Sequence, residues 1–379
     1  MPSLTKEQII DALRTVNDPE LHKDLVSLDM VKDVAVSDGH VRIHIELTTP
    51  ACPLKDKIRA DVESAVRSLG NVDKIDVEWS GRVRSNPTQA ADLPGVKNII
   101  AIGAGKGGVG KSTVAALLAI GLQRSGAAVG LMDADVYGPS IPKIFGIERA
   151  RPTMVPDPQG RTDQDGEPLF LIGPVDAGGV KIVSLGNIIP PDQAMVVRGP
   201  IVHGTVQQFL VQSHWGELDY LIVDLPPGTG DVALTLAQSV SVTGAVIVCT
   251  PQDIALLDAV KALHMYEKLD IPILGIVENM SYYLCPKCGN RDEVFDHGGA
   301  RLTAEQLGVP FLGEIPLNVR IRVNTDGGHP VDNFSDPDEN ISQSIQTVVE
   351  NLAGQVSVRN LTQAEPPAPC TEGQKESMQ

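Results

Sequence analysis

The sequence predicts an α/β protein in which a doubly wound, mostly parallel sheet follows a small α+β domain. From residue 96 onward, buried apolar runs alternate with helical segments, the pattern of a parallel sheet covered by helices. Aromatic residues make up only 3% of the chain, so the core is aliphatic, as is usual in such sheets. Residues 1–82 instead show short amphipathic strands and helices, so we expect them to form a separate unit.

Composition and charge narrow the classes of function. A length of 379 residues suggests two or three domains. The net charge of −17 argues against nucleic acid or an anionic membrane as a partner, and no apolar run reaches the roughly 18 residues that a membrane span needs. The N-terminus reads as a polar amphipathic helix, not a signal peptide. Sparse cysteines therefore indicate a cytoplasmic protein; they are Cys52, Cys249, Cys285, Cys288 and Cys370.

The first domain, residues 1–82, has the element order α-β-β-α-β, which forms a compact α+β unit. Apolar and polar residues alternate along its second strand, so one face of the small sheet is solvated. A turn at Ser37–Gly39 joins the first two strands. The predicted elements are a helix spanning Ile9–Val16, strands Val31–Val36 and Val41–Leu47, a helix Lys55–Leu69 and a strand Val72–Trp79.

Cys52 lies between the second strand and the second helix of this domain. A thiol near a helix N-terminus has a lowered pKa, which makes it a better metal ligand or nucleophile. The alternative is a small apolar residue in a tight turn, and spacing alone favours neither.

The remaining boundaries follow from composition. Residues 83–95 are polar and aperiodic, so we expect a flexible linker before the strand–helix domain at 96–354. Residues 355–379 contain prolines and charges but few apolar side chains, which predicts a disordered tail. Cys370 lies in that tail, and we interpret it as incidental.

A glycine-rich loop opens the second domain. Gly105–Ser112 matches G-x-x-x-x-G-K-[ST], and it stands between a predicted strand at Asn98–Ile102 and a predicted helix at Ser112–Leu122. Such a loop turns successive N–H groups toward a phosphate at the positive end of a helix. Lys111 would reach the β/γ-phosphates and Ser112 would hold Mg²⁺. The predicted nucleotide-binding residues are Gly105, Lys106, Gly107, Gly108, Val109, Gly110, Lys111, Ser112 and Thr113.

Carboxylates follow two other buried strands. Ala128–Met132 ends at Asp133-Ala134-Asp135, and Tyr220–Val223 ends at Asp224 before a glycine-rich turn. Acids at the carboxyl ends of parallel strands lie at the ligand edge of the sheet, and Asp224 has the form of a Walker B acid. The other predicted elements are strands Val180–Leu185, Gly244–Thr250, Ile273–Val277 and Phe311–Leu317 and helices Pro200–Gln212, Asp253–Leu269 and Ile341–Leu352.

A second chemical signal is the pair Cys285 and Cys288, separated by Pro286 and Lys287 and followed by glycine. This is the knuckle of zinc ribbons and of many iron–sulfur sites. A closed site needs four ligands, and no second C-x-x-C exists, while His297 does not match zinc-finger spacing. Two copies of the chain around a two-fold axis would supply four thiolates.

Two other interpretations of the pair remain. A thioredoxin-like redox pair is disfavoured, because the cysteines follow Ser281–Leu284, which we interpret as a loop, and not a strand-to-helix junction. The other is a plain structural turn.

The loop and its surrounding motifs carry a family resemblance. The second lysine, Lys106, resembles the deviant Walker A of the ATPases that include MinD, ParA and the nitrogenase iron protein. Residues 96–353 more closely resemble the Mrp/ApbC family of iron–sulfur cluster carriers, although Val197 stands where many relatives have Trp. The motifs that match are Asp133–Ser140, Arg198–Pro200, Asp224–Asp231, Thr250–Asp253, Glu278–Ser281 and Cys285–Gly289.

The first domain resembles the small domain, linked to iron–sulfur assembly, that commonly precedes the ATPase in bacterial Mrp proteins. Asp18–Glu20, Leu25–Leu28 and Leu47–Pro53 carry this match. Cys52 stands at the position of a reactive cysteine, so the resemblance favours a functional role for it.

The resemblance implies a role for each matching residue. Lys106 would reach across a homodimer to the partner's nucleotide, and Asp135 would orient the attacking water. Asp224 would act on Mg²⁺ through water, and Asn279 would contact adenine. Cys285 and Cys288 would bind the cluster. The implied protein is an ATP-hydrolysing homodimer that holds a cluster, expected to be [4Fe–4S], and exchanges it with assembly scaffold proteins and apo-proteins.

Two alternatives stay open. A positioning ATPase like MinD or ParA would share the nucleotide site, but it should carry a membrane-targeting helix or a basic DNA-binding surface. An ATPase with structural zinc at Cys285 and Cys288 would share both sites.

Overall fold

The computed structural model describes residues 4–19, 21–37, 39–70, 72–86, 93–162, 166–188, 199–228, 230–285, 287–335 and 339–364. The first domain has the predicted order α-β-β-α-β. Its strands lie in the order β1-β2-β3, with β2 antiparallel to β1 and parallel to β3. Two helices pack on one face over an aliphatic core. The elements are α1 (Lys6–Leu13), β1 (Val31–Ser37), β2 (His40–Leu47), α2 (Lys55–Arg67) and β3 (Lys74–Gly81).

The second domain is built on a nine-stranded sheet with the order β13-β12-β11-β4-β10-β5-β9-β8, in which β14 also pairs with β12. Every pair is parallel except β8–β9 and β12–β13. Its strands are β4 (Ile99–Gly103), β5 (Val129–Asp133), β8 (Val175–Ala177), β9 (Val180–Ser184), β10 (Tyr220–Asp224), β11 (Gly244–Cys249), β12 (Ile273–Leu284), β13 (Arg291–Asp292) and β14 (Phe311–Leu317); β6 (Thr153–Pro156) and β7 (Phe170–Gly173) form a separate hairpin.

Helices cover both faces of this sheet, which is why its central strands are apolar throughout. One core lies under α3, α4, α9 and α10, and the other under α5, α6, α7 and α8. The doubly wound α/β fold predicted from the sequence is therefore confirmed. The helices are α3 (Lys111–Arg124), α4 (Ile141–Ile144), α5 (Gly199–Val211), α6 (Asp231–Ser239), α7 (Asp253–Lys268), α8 (Gly299–Leu307), α9 (Val319–Asp326) and α10 (Glu339–Ala364).

The last helix corrects the predicted domain end. We expected a helix at Ile341–Leu352 and a disordered tail from residue 355, but α10 continues to Ala364. Val356 and Asn360 are buried, so packing against the sheet stabilises the extra turns. The predicted tail is wrong for residues 355–364; residues 365–379, with Cys370, lie outside the described residues.

The expected flexible linker is also partly wrong. Val83, Asn86 and Leu93 are buried, and the Asn86 N–H donates to the Lys97 carbonyl at 3.0 Å. The Asn360 amide of α10 donates to the Arg84 carbonyl at 3.0 Å. The described residues of 83–95 thus pack along the second domain, and 87–92 lie outside the described residues.

The loop before α2 joins the two domains. Thr49 Oγ1 lies 3.3 Å from the Tyr220 hydroxyl, and both side chains are buried. Ala51 packs into the core under α3. Since Tyr220 begins β10 and Asp224 ends it, this contact lies at the opposite end of the strand from the predicted nucleotide site.

Candidate functional site

The predicted strand, loop and helix around Gly105–Ser112 are present. The loop connects β4, the central strand, to α3, and its turn uses left-handed backbone at Gly108 (φ 84°) and Gly110 (φ 82°). A Cβ at Gly105 would lie 2.1 Å from the Asp258 carbonyl oxygen, so only glycine fits there. Loops of this kind turn their N–H groups toward an anion at the start of a helix, so phosphate binding between β4 and α3 stays a prediction.

Lys111 and Asp224 form a buried ion pair at the mouth of this loop. Lys111 Nζ lies 2.6 Å from Asp224 Oδ1 and 3.3 Å from Ser112 Oγ. Burial raises the pKa of Asp224, and the Lys111 ammonium opposes that shift. Asp224 Oδ2 is buried without a hydrogen-bond partner among the described residues. A buried, unpartnered carboxylate oxygen beside a serine hydroxyl fits a hydrated Mg²⁺ ion.

Asp133 lies next to Asp224, because β5 pairs with β10 in register at these two residues. It accepts hydrogen bonds from Ser184 Oγ (2.9 Å) and the Ile141 N–H (3.3 Å). Burial, reinforced by the Asp224 charge, raises the pKa of Asp133 to about 8. Its position after an apolar run predicts that Asp133 lies at the ligand edge of the sheet, but the sequence assigns it no role of its own.

Asp135 stands at the same edge of the sheet, as predicted from the strand ends. It is half-buried, and its Oδ1 accepts the Gly138 N–H at 3.2 Å. It lines a cavity of about 820 Å³ together with Pro227 and Gly228, the turn that follows Asp224. The structure therefore brings both acid-bearing loops to one side of the nucleotide cradle, where a water could be oriented.

Lys106 and Asn279, the two remaining residues predicted to contact nucleotide, differ in burial and in hydrogen bonding. Lys106 is half-exposed, and its ammonium has no hydrogen bond or ion pair within the described part of the chain. Asn279 is buried, and its Nδ2 donates to the Val109 carbonyl at 2.8 Å. Asn279 therefore braces the phosphate loop from below; its contact with adenine stays a prediction.

The cysteine pair lies on a β-hairpin, which corrects one prediction. We interpreted Ser281–Leu284 as a loop, but β12 continues through it, and β13 returns antiparallel to it. The residues between these strands, Cys285–Asn290, are called the cysteine hairpin below. The Cys285 N–H donates to the Asn290 carbonyl and the Gly289 N–H to the Cys285 carbonyl, both at 2.9 Å. The setting is strand–turn–strand, so it does not match a thioredoxin-like pair.

Both thiols are accessible to a ligand. Cys285 is half-exposed and Cys288 is exposed. N–H groups of Lys287 and Cys288 point at Cys285 and, with the Cys288 thiol, hold the pKa of Cys285 below its usual value. Stabilisation of a thiolate by backbone N–H groups is the property that a metal-binding knuckle requires.

Within the described part of one chain, Cys285 and Cys288 have no third metal-ligating side chain beside them. His297 is engaged elsewhere, since its Nε2 lies 2.9 Å from Glu314 Oε2. Among the described residues, no group of three or more His, Cys, Asp or Glu side chains could hold a metal ion. The cysteine hairpin therefore offers two thiols. Four residues of the predicted motifs lie outside the described residues: Val197, Arg198, Thr229 and Pro286.

Cys52 lies apart from the nucleotide site of its own chain. It is half-buried in the loop that docks through Thr49 on Tyr220, at the amino end of β10. Asp224 and the phosphate loop lie at the carboxyl end of that strand. The structure therefore does not bring Cys52 to the nucleotide.

Comparison with known proteins agrees with this geometry. Residues 95–353 match the family model described as NUBPL iron-transfer P-loop NTPase. The chain belongs to this family. Residues 6–79 match a second model, described as iron–sulfur cluster assembly protein. The described helices include none long and apolar enough to cross a membrane.

Individual proteins resemble the chain over two thirds of its length or more. An iron–sulfur cluster carrier protein of Deinococcus radiodurans is 49% identical over 357 residues, covering 94% of this chain and 97% of that protein. The carrier protein of Escherichia coli K12 is 38% identical, covering 94% and 93%. A nucleotide-binding protein of Archaeoglobus fulgidus, solved with ADP, is 37% identical with a TM-score of 0.55, covering 67% and 95%. The predicted family and P-loop fold are confirmed.

Proposed function

We propose that this chain is an ATP-hydrolysing carrier that holds an iron–sulfur cluster between two copies of itself and passes it to apo-proteins. One observation carries the proposal: an accessible hairpin presents two thiols, and among the described residues no third His, Cys, Asp or Glu side chain joins them in a metal-binding group. Two copies give four thiolates, the usual complement for a [4Fe–4S] cluster. The similar proteins from Deinococcus radiodurans and Escherichia coli carry the name iron–sulfur cluster carrier.

The nucleotide site would be shared between the two copies. Lys111 and Ser112 hold the phosphates and Mg²⁺, which neutralises the charge that develops on the transferred phosphoryl group. Asp135 orients the attacking water, and Asp224 holds the hydrated ion through its free oxygen. Lys106, which has no partner among the described residues of its own chain, reaches the nucleotide of the second copy. ATP hydrolysis and cluster binding thus both depend on the same dimer.

The partners follow from the chemistry of the cargo. A cluster held at an exposed hairpin can pass to thiols of a second protein, so assembly scaffolds are donors and apo iron–sulfur proteins are acceptors. The net charge of −17 and the sparse cysteines support a cytoplasmic site of action without nucleic acid or membrane.

Anaerobic reconstitution with iron and sulfide tests the proposal. The wild type should gain the visible absorption of a cluster and sediment as a dimer. Cys285→Ser/Cys288→Ser should gain none, because the only close thiol pair among the described residues is lost. His297→Gln serves as a matched control, since His297 bonds to Glu314; it should load as the wild type does. Cys249→Ser is a second control, because Cys249 is buried on β11.

Transfer and metal content separate the alternatives. The loaded wild type should activate an apo-enzyme, and MgATP should change the rate of transfer. Equal absorption in wild type and Cys285→Ser/Cys288→Ser would contradict the proposal. Zinc in place of iron in anaerobically purified protein would instead assign a structural metal site, and membrane or DNA binding without a cluster would favour a positioning ATPase.

A further inference from the structure

Strand β12 contacts the phosphate loop before it reaches the cysteines. Asn279 Nδ2 bonds to the Val109 carbonyl at 2.8 Å, and a Cβ on Gly110 would lie 2.2 Å from that Nδ2. The same Cβ would lie 3.6 Å from Met280 Cε, so Met280 also packs on the loop where α3 begins. Cys285 follows only five residues after Met280. A single strand therefore joins the nucleotide cradle to the cysteine hairpin.

The backbone of Met280 is strained. Its φ of 56° is in the left-handed region, which a side chain with a Cβ rarely adopts. Pairing with β14 is interrupted at the same place, because Asn279 pairs with Ile315 and Tyr283 with Leu317, so four residues of β12 advance against two of β14. The bend at Met280 is thus fixed by side-chain packing and local bonds and not by the sheet ladder.

Glu278 closes the base of the segment that carries the cysteines. Its buried carboxylate accepts Ser281 Oγ at 2.6 Å, the Gly298 N–H at 3.0 Å and the Ala300 N–H at 2.8 Å. Ser281, near the start of the segment that carries the cysteines, and Gly298 and Ala300, just after its end, are therefore bonded to the same side chain. An acid inside the apolar run of β12 was the sequence signal for this contact.

Beyond Met280 the strand is held by side chains of its surroundings. The guanidinium of Arg291 lies 4.0 Å from the centre of the Tyr282 ring, and the centres of the Tyr282 and His297 rings lie 6.3 Å apart in a T-shaped arrangement. The Tyr282 hydroxyl lies 3.4 Å from Ser344 Oγ on α10. Side-chain contacts therefore hold β12 both before Met280, at Val109, and after it, at Arg291 and Ser344.

We propose that Met280 is a positioning residue that couples occupancy of the phosphate loop to the placement of the cysteine hairpin. When phosphate enters the loop and the Val109 carbonyl shifts, Asn279 moves with it. Because the constrained backbone of Met280 cannot rotate to absorb the displacement of Asn279, it transmits this displacement to Leu284 and Cys285. The device rests on the proposed function, in which nucleotide state controls the hold on a cluster at these thiols.

Hydrogen exchange of the cluster-free protein tests this coupling without reference to activity. The peptide to follow is 282–292, which contains the bonded N–H groups of Cys285 and Gly289. In the wild type, MgADP or a non-hydrolysable MgATP analogue should change its exchange rate about threefold or more. Met280→Gly frees the backbone and should reduce that change to below about 1.5-fold. Met280→Leu keeps the side-chain volume and the constraint, so it should behave as the wild type.

Nucleotide affinity and sedimentation of the three proteins are measured in the same buffers, so that a difference in exchange is not a difference in binding or dimerisation. If Met280→Gly does not fold, Ser281→Ala removes the Ser281–Glu278 bond at the same bend and should weaken the response in the same direction. An unchanged exchange rate in the nucleotide-bound wild type, or an equal response in Met280→Gly, would overturn the coupling. Cluster reconstitution in the same wild-type preparation reports separately on the proposed function.

Discussion

Lys111 Nζ and Asp224 Oδ1 lie 2.6 Å apart, and both side chains are almost fully buried. Lys111 is expected to bind the β/γ-phosphates and Asp224 to act on Mg²⁺. In the nucleotide-free protein the Asp224 carboxylate thus compensates the charge of the Lys111 ammonium. When MgATP enters, the phosphates take the place of Asp224 as the negative charge beside Lys111. The metal ion takes the place of Lys111 as the positive charge beside Asp224. The pair therefore keeps two charges compensated in the nucleotide-free protein at the point where both will be used.

Removing one member of this pair should destabilise the nucleotide-free protein. Lys111→Met leaves Asp224 as an uncompensated buried carboxylate, which costs about 3–5 kcal/mol. Lys111→Met/Asp224→Asn removes both charges and should recover most of that loss. Urea unfolding in the presence of a chelator measures the three free energies. A double variant no more stable than Lys111→Met would show that the two charges do not compensate each other.

The raised pKa of Asp133, about 8, predicts a pH dependence of stability. Because the folded pKa lies above the unfolded one, the native protein binds the extra proton between roughly pH 4 and 8. The free energy of unfolding should therefore fall as pH rises through that window, with a slope of up to about 1.4 kcal/mol per pH unit from this group.

Asp133→Asn is the control for that slope. It cannot ionise, so the slope should flatten even if the absolute stability changes through the bonds with Ser184 and Ile141. The measurement is urea unfolding at several pH values without nucleotide. Parallel pH curves for the two proteins would contradict the assignment.

Lys106 should matter for the dimer and not for the loop of its own chain. Lys106→Ala should keep MgADP affinity within about threefold, because Lys111 and the loop N–H groups remain, but lower the ATP hydrolysis rate at least tenfold by analogy with other charge-stabilising groups supplied in trans. Mixing Lys106→Ala with Lys111→Met tests the sharing directly. If each active site is built from both chains, the mixture should recover activity in one of its two sites, whereas sites contained within one chain would gain none.

Local patterns were sufficient to predict most of the fold. The strand ends at Gly103 and Asp224 followed from apolar runs that stop at glycine or acid, since these central strands are buried on both faces. The predicted last helix ends too early because the final turns of α10 are polar in composition. Only the folded structure shows that Asn360 bonds to Arg84 and Asn98. Local sequence does not contain that tertiary contact.

The same limit applies to the site. The residues that would touch phosphate follow from the spacing of the loop motif, and the cysteine pair follows from its turn chemistry. The brace of Asn279 on Val109, the left-handed Met280 and the clamp by Glu278 depend on which strand passes beside the loop. Sheet order β11-β12 sets that proximity, and no local pattern encodes it.

The contact between Thr49 and Tyr220 should stabilise the docking of the first domain. The Tyr220 hydroxyl and Thr49 Oγ1 are 3.3 Å apart and buried, and burial raises the pKa of the phenol far above its usual value. Tyr220→Phe and Thr49→Val should each lower the free energy of unfolding by about 1–2 kcal/mol, because each leaves a buried hydroxyl without this partner. Tyr220→Phe/Thr49→Val should cost less than the sum, with a coupling energy of about 1 kcal/mol. Urea unfolding of the four proteins gives the cycle, and Tyr283→Phe, on a different strand, is the matched tyrosine control. Additive effects would show that the two hydroxyls do not interact. The loop before α2, which contains Cys52, would then be held to the second domain by apolar contacts such as that of Ala51.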